Sequence, residues 1–172
     1  MRLGIMCSGI GTNFENIIRT CTDHEVVLMI HNKDKCGAAK RADKLGIPHC
    51  HISHKNEDQM VKLFEAWRVD LIVLAGYMRV LKDPSAFHCP IINVHPSLLP
   101  KYKGLNAVKQ ALDAQEVTTG CTVHYVTEDL DAGEIILQEE VSILPHDTVE
   151  TLTKVIQQRE YEILPRAIGM VG

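Results

Sequence analysis

The sequence predicts an α/β protein with a mostly parallel, twisted sheet, helices on both faces and an antiparallel strand pair late in the chain. Short apolar runs alternate with helical patterns from the first residues onward, which is typical of successive βαβ units. The run Leu71 to Ala75 is apolar without alternation, as in a parallel strand buried on both faces. Two further strand-like segments flank the turn Asp129 to Gly133 and indicate the antiparallel pair.

Each element follows from a local pattern. Strands are predicted where β-branched and apolar residues form short runs: Arg2 to Cys7, His24 to His31, Ile47 to Ile52, Leu71 to Ala75, Ile91 to Val94, Thr119 to Val126 and Glu134 to Val141. Helices are predicted from helical patterning: Thr12 or Asn13 through Ile18, Ala38 to Leu45, Ser53 as a cap to about Trp67, Ala107 to Ala114, and Val149 to about Ile168. The pattern is Rossmann-like and predicts one domain over residues 1–172.

Composition narrows the class of protein. The chain has 172 residues, of which 45% are hydrophobic, and a formal net charge of -4 with acids and bases intermixed. This balance argues against a nucleic-acid or membrane partner, and no apolar stretch reaches the roughly 20 residues that cross a bilayer. The N-terminal apolar run is too short for a signal peptide, so we expect a cytoplasmic protein whose six cysteines are reduced thiols.

The loop after the first predicted strand reads Ser8-Gly9-Ile10-Gly11-Thr12-Asn13. Its glycines allow a tight turn and close approach to a ligand, and the following helix start presents free N–H groups that suit a phosphate. Phe14 stands where a dinucleotide site has its third glycine, and His31 and Asn32 stand near the place of its acidic residue. The loop therefore favours a monophosphate over NAD, with a tight turn that binds nothing as the alternative.

Two later segments carry candidate chemistry. Asn93 and His95 lie two residues apart at a strand end, so their side chains point the same way. An amide beside an imidazole can hold an oxyanion and move a proton near neutral pH. In the turn Asp129 to Glu134, Asp131 is a candidate partner that orients His95 and favours its charged form. Ordinary loop and turn hydrogen bonding is the alternative for both segments.

The segment His49-Cys50-His51, followed by His54, is the one stretch that suggests metal ligands. On a strand, His49 and His51 share a face. A structural zinc site needs four ligands, and the sequence offers no further cluster of Cys or His nearby. We therefore predict no metal site.

Four motifs resemble those of a known family. They are SGIGTN (Ser8 to Asn13), LAGYMRVL (Leu74 to Leu81), INVHPSLLPKYKGL (Ile92 to Leu105) and TVHYVTEDLDAGEIILQ (Thr122 to Gln138). Over nearly its whole length, the chain resembles the phosphoribosylglycinamide formyltransferases, or glycinamide ribonucleotide transformylases, of folate-dependent purine synthesis. The resemblance implies two small-molecule substrates, glycinamide ribonucleotide and 10-formyltetrahydrofolate, and no metal. The resemblance is compatible with a homodimer.

The resemblance also implies residue roles. Asn93, His95 and Asp131 match the catalytic trio: Asn93 and His95 would stabilise the oxyanion while the amine attacks the formyl carbon, and Asp131 would assist. Two groups match the substrate site: Gly11, Thr12 and Asn13 for the phosphate, and Gln157 and Glu160 for the ribose hydroxyls. The folate-binding positions are Met78, Arg79, Val80, Leu81, Asn93, Val126, Thr127, Glu128 and Asp129. His124 matches a histidine near the trio.

Several departures from the family pattern leave the trio untouched. The arginine that contacts the folate tail has no counterpart near the third helix, where only Lys55 is basic, and Lys103 and Asn106 replace a proline and a histidine. Three other activities stay open: formyl transfer to methionyl-tRNA or a nucleotide sugar, hydrolysis by a formyltetrahydrofolate deformylase, and binding of folate or nucleotide without catalysis. The deformylases carry a second histidine where Pro96 stands.

Overall fold

The computed structural model describes residues 1–172 and contains seven strands and five α-helices. In chain order these are β1 (Arg2–Cys7), α1 (Thr12–Thr20), β2 (Glu25–His31), α2 (Gly37–Leu45), β3 (His49–His51), α3 (Glu57–Ala66), β4 (Leu71–Leu74), β5 (Ile91–His95), α4 (Ala107–Asp113), β6 (Thr118–Tyr125), β7 (Ile135–Ser142) and α5 (Val149–Val171). A short 3₁₀ turn, Pro84–Ala86, precedes β5.

The strands form one hydrogen-bonded sheet in the order β3-β2-β1-β4-β5-β6-β7. The pairs β1–β2, β1–β4, β2–β3 and β4–β5 are parallel, whereas β6 and β7 are antiparallel. This arrangement confirms the predicted mixed α/β fold. The chain divides into two compact units, Met1–Asn93 and Val94–Gly172.

The first unit has a core of strand residues that are buried on both faces. All four residues of β4 are buried, as its unbroken apolar run predicts. Gly4 in β1 is required by packing, because a Cβ there would lie 2.5 Å from the Phe64 ring of α3. Since β1, β2 and β4 are parallel, the loops after them emerge at one edge of the sheet.

The second unit is built from the β6–β7 hairpin with α4 and α5 packed in the same unit. Thr148 caps α5: its hydroxyl accepts from the Thr151 N–H, and the Thr151 hydroxyl accepts from the Thr148 N–H. The buried side chains of α5 recur at helical spacing, with Leu152, Ile156 and Ile163 each at most 1% exposed. A stable, capped helix thus closes the chain.

One predicted boundary is wrong. Ser53 does not cap α3, which begins at Glu57 after Asn56. The Ser53 hydroxyl instead accepts from the Lys55 N–H at 3.4 Å, and its carbonyl accepts from the Asn56 N–H, so Ser53 closes a separate turn. The other predicted elements are all present, with ends displaced by a few residues.

All six cysteines are free: Cys7, Cys21 and Cys121 are buried, and the other three are half-buried. None of the helices combines the length and the apolar character needed to span a bilayer.

Candidate functional site

The loop after β1 is shaped by close packing against α2. Gly11 has φ +82° and immediately precedes α1, and a Cβ at this position would lie 2.7 Å from the Ala38 Cα. Any side chain at Gly11 would therefore collide with backbone and strain the turn. The glycine predicted to admit a ligand is already required by the contact between the loop and α2.

Helix α2 also holds this loop by hydrogen bonds. The Ala38 N–H donates to the Gly9 carbonyl at 2.9 Å, and Arg41 Nε donates to the Ile10 carbonyl at 2.8 Å. A second guanidinium nitrogen of Arg41 forms an ion pair with Glu15 in the first turn of α1. Helix α2 thus holds the loop at Gly9 and Ile10.

The start of α1 presents backbone donors. The first bond of the helix runs from the Glu15 N–H to the Gly11 carbonyl, so the N–H groups of Thr12, Asn13 and Phe14 have no acceptor within the helix. Thr12 is exposed and Asn13 is half-buried. Such a helix start suits an anion, as the sequence predicts.

The segment after β4 presents backbone between two buried anchors. Gly76 has φ +76°, and the side chains of Tyr77 and Leu81 are buried. Between them, Met78 and Val80 are 63% and 67% exposed. The segment therefore offers the exposed apolar side chains of Met78 and Val80 from a fixed position, at the place where the resemblance implies folate binding.

Strand β5 carries two of the three predicted catalytic residues. Asn93 is half-buried and stands opposite Leu74 of β4 in the sheet register, and His95 is the last, buried residue of the strand. Their separation by two positions in an extended strand places both side chains on the same face. The spacing noted in the sequence is thus realised in a regular strand.

The two ring nitrogens of His95 have different surroundings. Nε2 donates to the Tyr102 carbonyl at 2.8 Å, because a carbonyl can only accept. Nδ1 lies 3.5 Å from Asp131 Oδ2, which is an ion-pair distance longer than an ordinary hydrogen bond. Nε2 therefore carries a proton in this arrangement, and Nδ1 is the ring nitrogen that faces the carboxylate.

The Asp131 carboxylate is held between several groups. The Gly104 N–H donates to its Oδ2 at 2.8 Å, and its Oδ1 lies 3.6 Å from His124 Nε2. The side chains of His95 and Asp131 are each 7% exposed, and that of His124 is 2% exposed. Asp131 has φ +50°, a strained conformation that directs this carboxylate inward from a turn. The predicted contact between Asp131 and His95 is therefore present.

His124 is the buried neighbour of this pair. Its Nδ1 donates to the Tyr125 carbonyl at 2.9 Å, which leaves Nε2 facing Asp131. Burial lowers the pKa of His124, although the Tyr125 carbonyl and the Asp131 carboxylate oppose that shift. Burial thus disfavours the charged form of His124, whose Nε2 lies beside Asp131 Oδ1.

Buried hydroxyls fix the loop that follows β5. The Ser97 hydroxyl donates to the Lys101 carbonyl at 2.6 Å, and the Thr122 hydroxyl donates to the Ser97 carbonyl at 2.7 Å. Gln138 Nε2 donates to the Leu99 carbonyl at 2.7 Å. This loop supplies the Tyr102 carbonyl that orients His95. Sequence reasoning missed these supports, although Ser97, Thr122 and Gln138 all lie within the quoted motifs.

The remaining predicted residues lie on the hairpin turn and on α5. Val126 is half-buried, and Thr127, Glu128 and Asp129 are exposed, so this turn is open to a ligand. On α5, Gln157 is exposed and Glu160 is buried at 8% exposure. Their spacing of three residues places them on neighbouring positions of one helix face.

The histidines of β3 contact other groups of the protein. His49 Nε2 lies 2.7 Å from an Asp43 oxygen, and its Nδ1 lies 3.0 Å from His31 Nε2. His51 Nε2 donates to the Asn32 carbonyl at 3.2 Å. The structure contains no group of three His, Cys, Asp or Glu side chains arranged to hold a metal ion.

On this mixed α/β sheet, an amide and an imidazole at a strand end, with a buried carboxylate against the imidazole, can stabilise an oxyanion and carry a proton. Comparison with known proteins specifies the class further. The family model described as formyl transferase matches residues 1–168, and the chain belongs to that family.

Similar proteins of known name fall in the same class. The phosphoribosylglycinamide formyltransferase of Haemophilus influenzae is 37% identical over 97% of this chain and 85% of its own length. The trifunctional purine biosynthetic protein adenosine-3 of Drosophila melanogaster is 42% identical over 99% of this chain, which spans only 14% of that protein. The crystal structure of the Anaplasma phagocytophilum phosphoribosylglycinamide formyltransferase matches with a TM-score of 0.96 and 35% identity, covering 99% of this chain and 86% of that one.

Proposed function

We propose that this protein transfers the formyl group of 10-formyltetrahydrofolate to the amine of 5-phosphoribosylglycinamide, a step of purine biosynthesis. Membership of the formyl transferase family and the names of its relatives support this activity. The observation that carries the proposal is the buried pair of His95 and Asp131, with Nδ1 and Oδ2 3.5 Å apart. A buried, oriented imidazole on β5 beside Asn93 supplies both an oxyanion donor and a proton carrier.

Recognition of the acceptor, glycinamide ribonucleotide, is assigned to the start of α1 and to α5. The N–H groups of Thr12 and Asn13, together with the partial positive charge of the helix, would hold the phosphate of glycinamide ribonucleotide. Arg41 would favour phosphate binding because it neutralises Glu15, the acid nearest to the helix start in sequence. It also holds the Ile10 carbonyl. Gln157 and Glu160 of α5 are proposed to contact the ribose hydroxyls.

Formyl-folate recognition is assigned to two segments. The peptide groups of Met78, Arg79 and Val80 would bond the pterin edge, since the anchors on either side of them are buried and the residues themselves are exposed. The exposed turn Val126 to Asp129 would cover the ring. Asn93 would donate its amide to the formyl oxygen.

The proposed reaction is direct transfer. The amine nitrogen attacks the formyl carbon, and the Asn93 amide and the protonated Nδ1 of His95 stabilise the oxyanion that forms. The C–N bond to folate N10 then breaks, N10 takes a proton, and the amine loses one. Nε2 of His95 is bonded to the Tyr102 carbonyl, so Nδ1 is the nitrogen that would carry protons in this step. Asp131, next to Nδ1, would stabilise the imidazolium.

A turnover assay with alternative acceptors tests the proposal. The protein is incubated with 10-formyltetrahydrofolate and glycinamide ribonucleotide, its dephosphorylated form, or an amino sugar nucleotide. We expect turnover with glycinamide ribonucleotide and a strong rise in KM without its phosphate. Equal use of the dephosphorylated acceptor would refute the phosphate assignment, and preference for the sugar nucleotide would refute the proposed substrate.

A further inference from the structure

Ser8 opens the loop motif that precedes α1, but its side chain is only 1% exposed. Its hydroxyl donates to Asn32 Oδ1 at 2.6 Å and accepts from the Met78 N–H at 2.8 Å. The single proton of the hydroxyl and one of its lone pairs are thus both used within the protein. A hydroxyl with these commitments has no proton to donate to a phosphate.

Ser8 holds the segment after β4 at two points. Besides the bond from Met78 to its hydroxyl, its own N–H donates to the Gly76 carbonyl at 3.1 Å. Asn32 fixes the direction of the hydroxyl and is itself held, because its carbonyl accepts from His51 Nε2 at 3.2 Å. A continuous chain of bonds therefore connects β3, the end of β2 and the backbone at Met78.

We infer that Ser8 is a positioning residue for formyl-folate and does not contact the phosphate, despite its place in the loop motif. This inference rests on the proposed function, in which the backbone from Met78 to Val80 holds the pterin. Without the hydroxyl, the Met78 N–H and Asn32 Oδ1 both lose their partner in a partly buried place. The peptide groups that meet the folate would then no longer be held in one arrangement.

Ser8→Ala and Thr12→Val form a matched pair of single substitutions within one loop. Ser8→Ala is expected to raise the KM for 10-formyltetrahydrofolate about tenfold, with the KM for glycinamide ribonucleotide unchanged within about twofold. Thr12→Val, at the exposed start of α1, is expected to show the opposite pattern. If Ser8→Ala raises only the KM for glycinamide ribonucleotide, Ser8 serves the phosphate and the inference is wrong.

A second measurement needs no turnover. Amide hydrogen exchange followed by NMR should be faster at Met78 in Ser8→Ala, with exchange at the β4 residue Ile72 unchanged. Unchanged exchange at Met78 would overturn the inference. If the normal protein transfers no formyl group, the proposed function fails, while the exchange result still reports whether Ser8 holds this backbone.

Asn32→Ala provides a test if Ser8→Ala does not fold, since Asn32 is only half-buried. Because Asn32 acts through the Ser8 hydroxyl, the Asn32→Ala variant should also raise the KM for formyl-folate and speed amide exchange at Met78. In a double-mutant cycle, the combined variant should be no worse than Ser8→Ala alone. Fully additive effects would show that the two residues act separately and would contradict the proposed chain.

Discussion

Replacement of Asp131 by asparagine removes the charge beside His95 and little else. Asparagine has nearly the same shape, and its amide oxygen can still accept from the Gly104 N–H, which bonds Oδ2 at 2.8 Å. At the observed 3.5 Å between Nδ1 and Oδ2, two unit charges attract by about 5 kcal/mol at an effective dielectric constant of about 20. Since about 1.4 kcal/mol corresponds to a tenfold change in rate, and the lost attraction is partly offset by solvation, we expect kcat to fall by about 10²–10⁴.

The assay is steady-state turnover with each substrate varied in turn. Both KM values should change little, because Asp131 acts on the charged imidazole that forms during transfer. Glu134→Gln is the control: it removes an exposed acid three residues away, and it should leave kcat near normal. A folded Asp131→Asn protein with a kcat within about threefold of normal would refute the assigned role of the pair.

Three other predictions follow from the same geometry. His95→Ala should lower kcat by about 10²–10⁴ with small changes in KM, measured by the same assay; near-normal turnover would contradict the mechanism. Arg41→Gln should raise the KM for glycinamide ribonucleotide about tenfold, because Arg41 both pairs with Glu15 and holds the Ile10 carbonyl. Arg19→Gln removes only the other ion pair of Glu15 and should leave this KM unchanged. Equal effects of the two substitutions would show that only the neutralisation of Glu15 matters. Burial lowers the pKa of His31 and of His124, so the unfolded chain binds more protons than the folded protein below about pH 6.5. Thermal melts should therefore show stability falling as the pH drops from about 6.5. His31→Gln should make the stability fall less, and an unchanged fall would exclude His31 as a contributor.

Much of the fold was predictable because local patterns agree with their surroundings. The unbroken apolar run of β4 identifies a strand buried on both faces, and the alternation of strands with helices implies a parallel sheet. Ser53 shows where such reasoning fails. A capping residue type marks turns and helix starts alike, and only the backbone path decides between them.

The candidate site was predictable in part. The spacing of Asn93 and His95 follows from strand geometry, but the contact of His95 with Asp131 joins residues 36 positions apart, which no local pattern reveals. The supports were harder to predict: the Tyr102 carbonyl that fixes His95 Nε2 is a backbone group and has no sequence signature. The resemblance assigns Gly11 to the phosphate site, and its close approach to Ala38 is a separate reason for glycine there, which the sequence does not reveal.

The central claim is that the formyl group passes directly from folate to the amine at His95. The most direct measurement follows a ¹³C-labelled formyl group through a single turnover by NMR, with protein in excess over 10-formyltetrahydrofolate and glycinamide ribonucleotide. We expect the label to appear as a formamide on the glycinamide nitrogen at the rate at which tetrahydrofolate forms, and to remain on the folate over the same period with His95→Ala. Release of the label as free formate, or equally fast transfer by His95→Ala, would contradict the account.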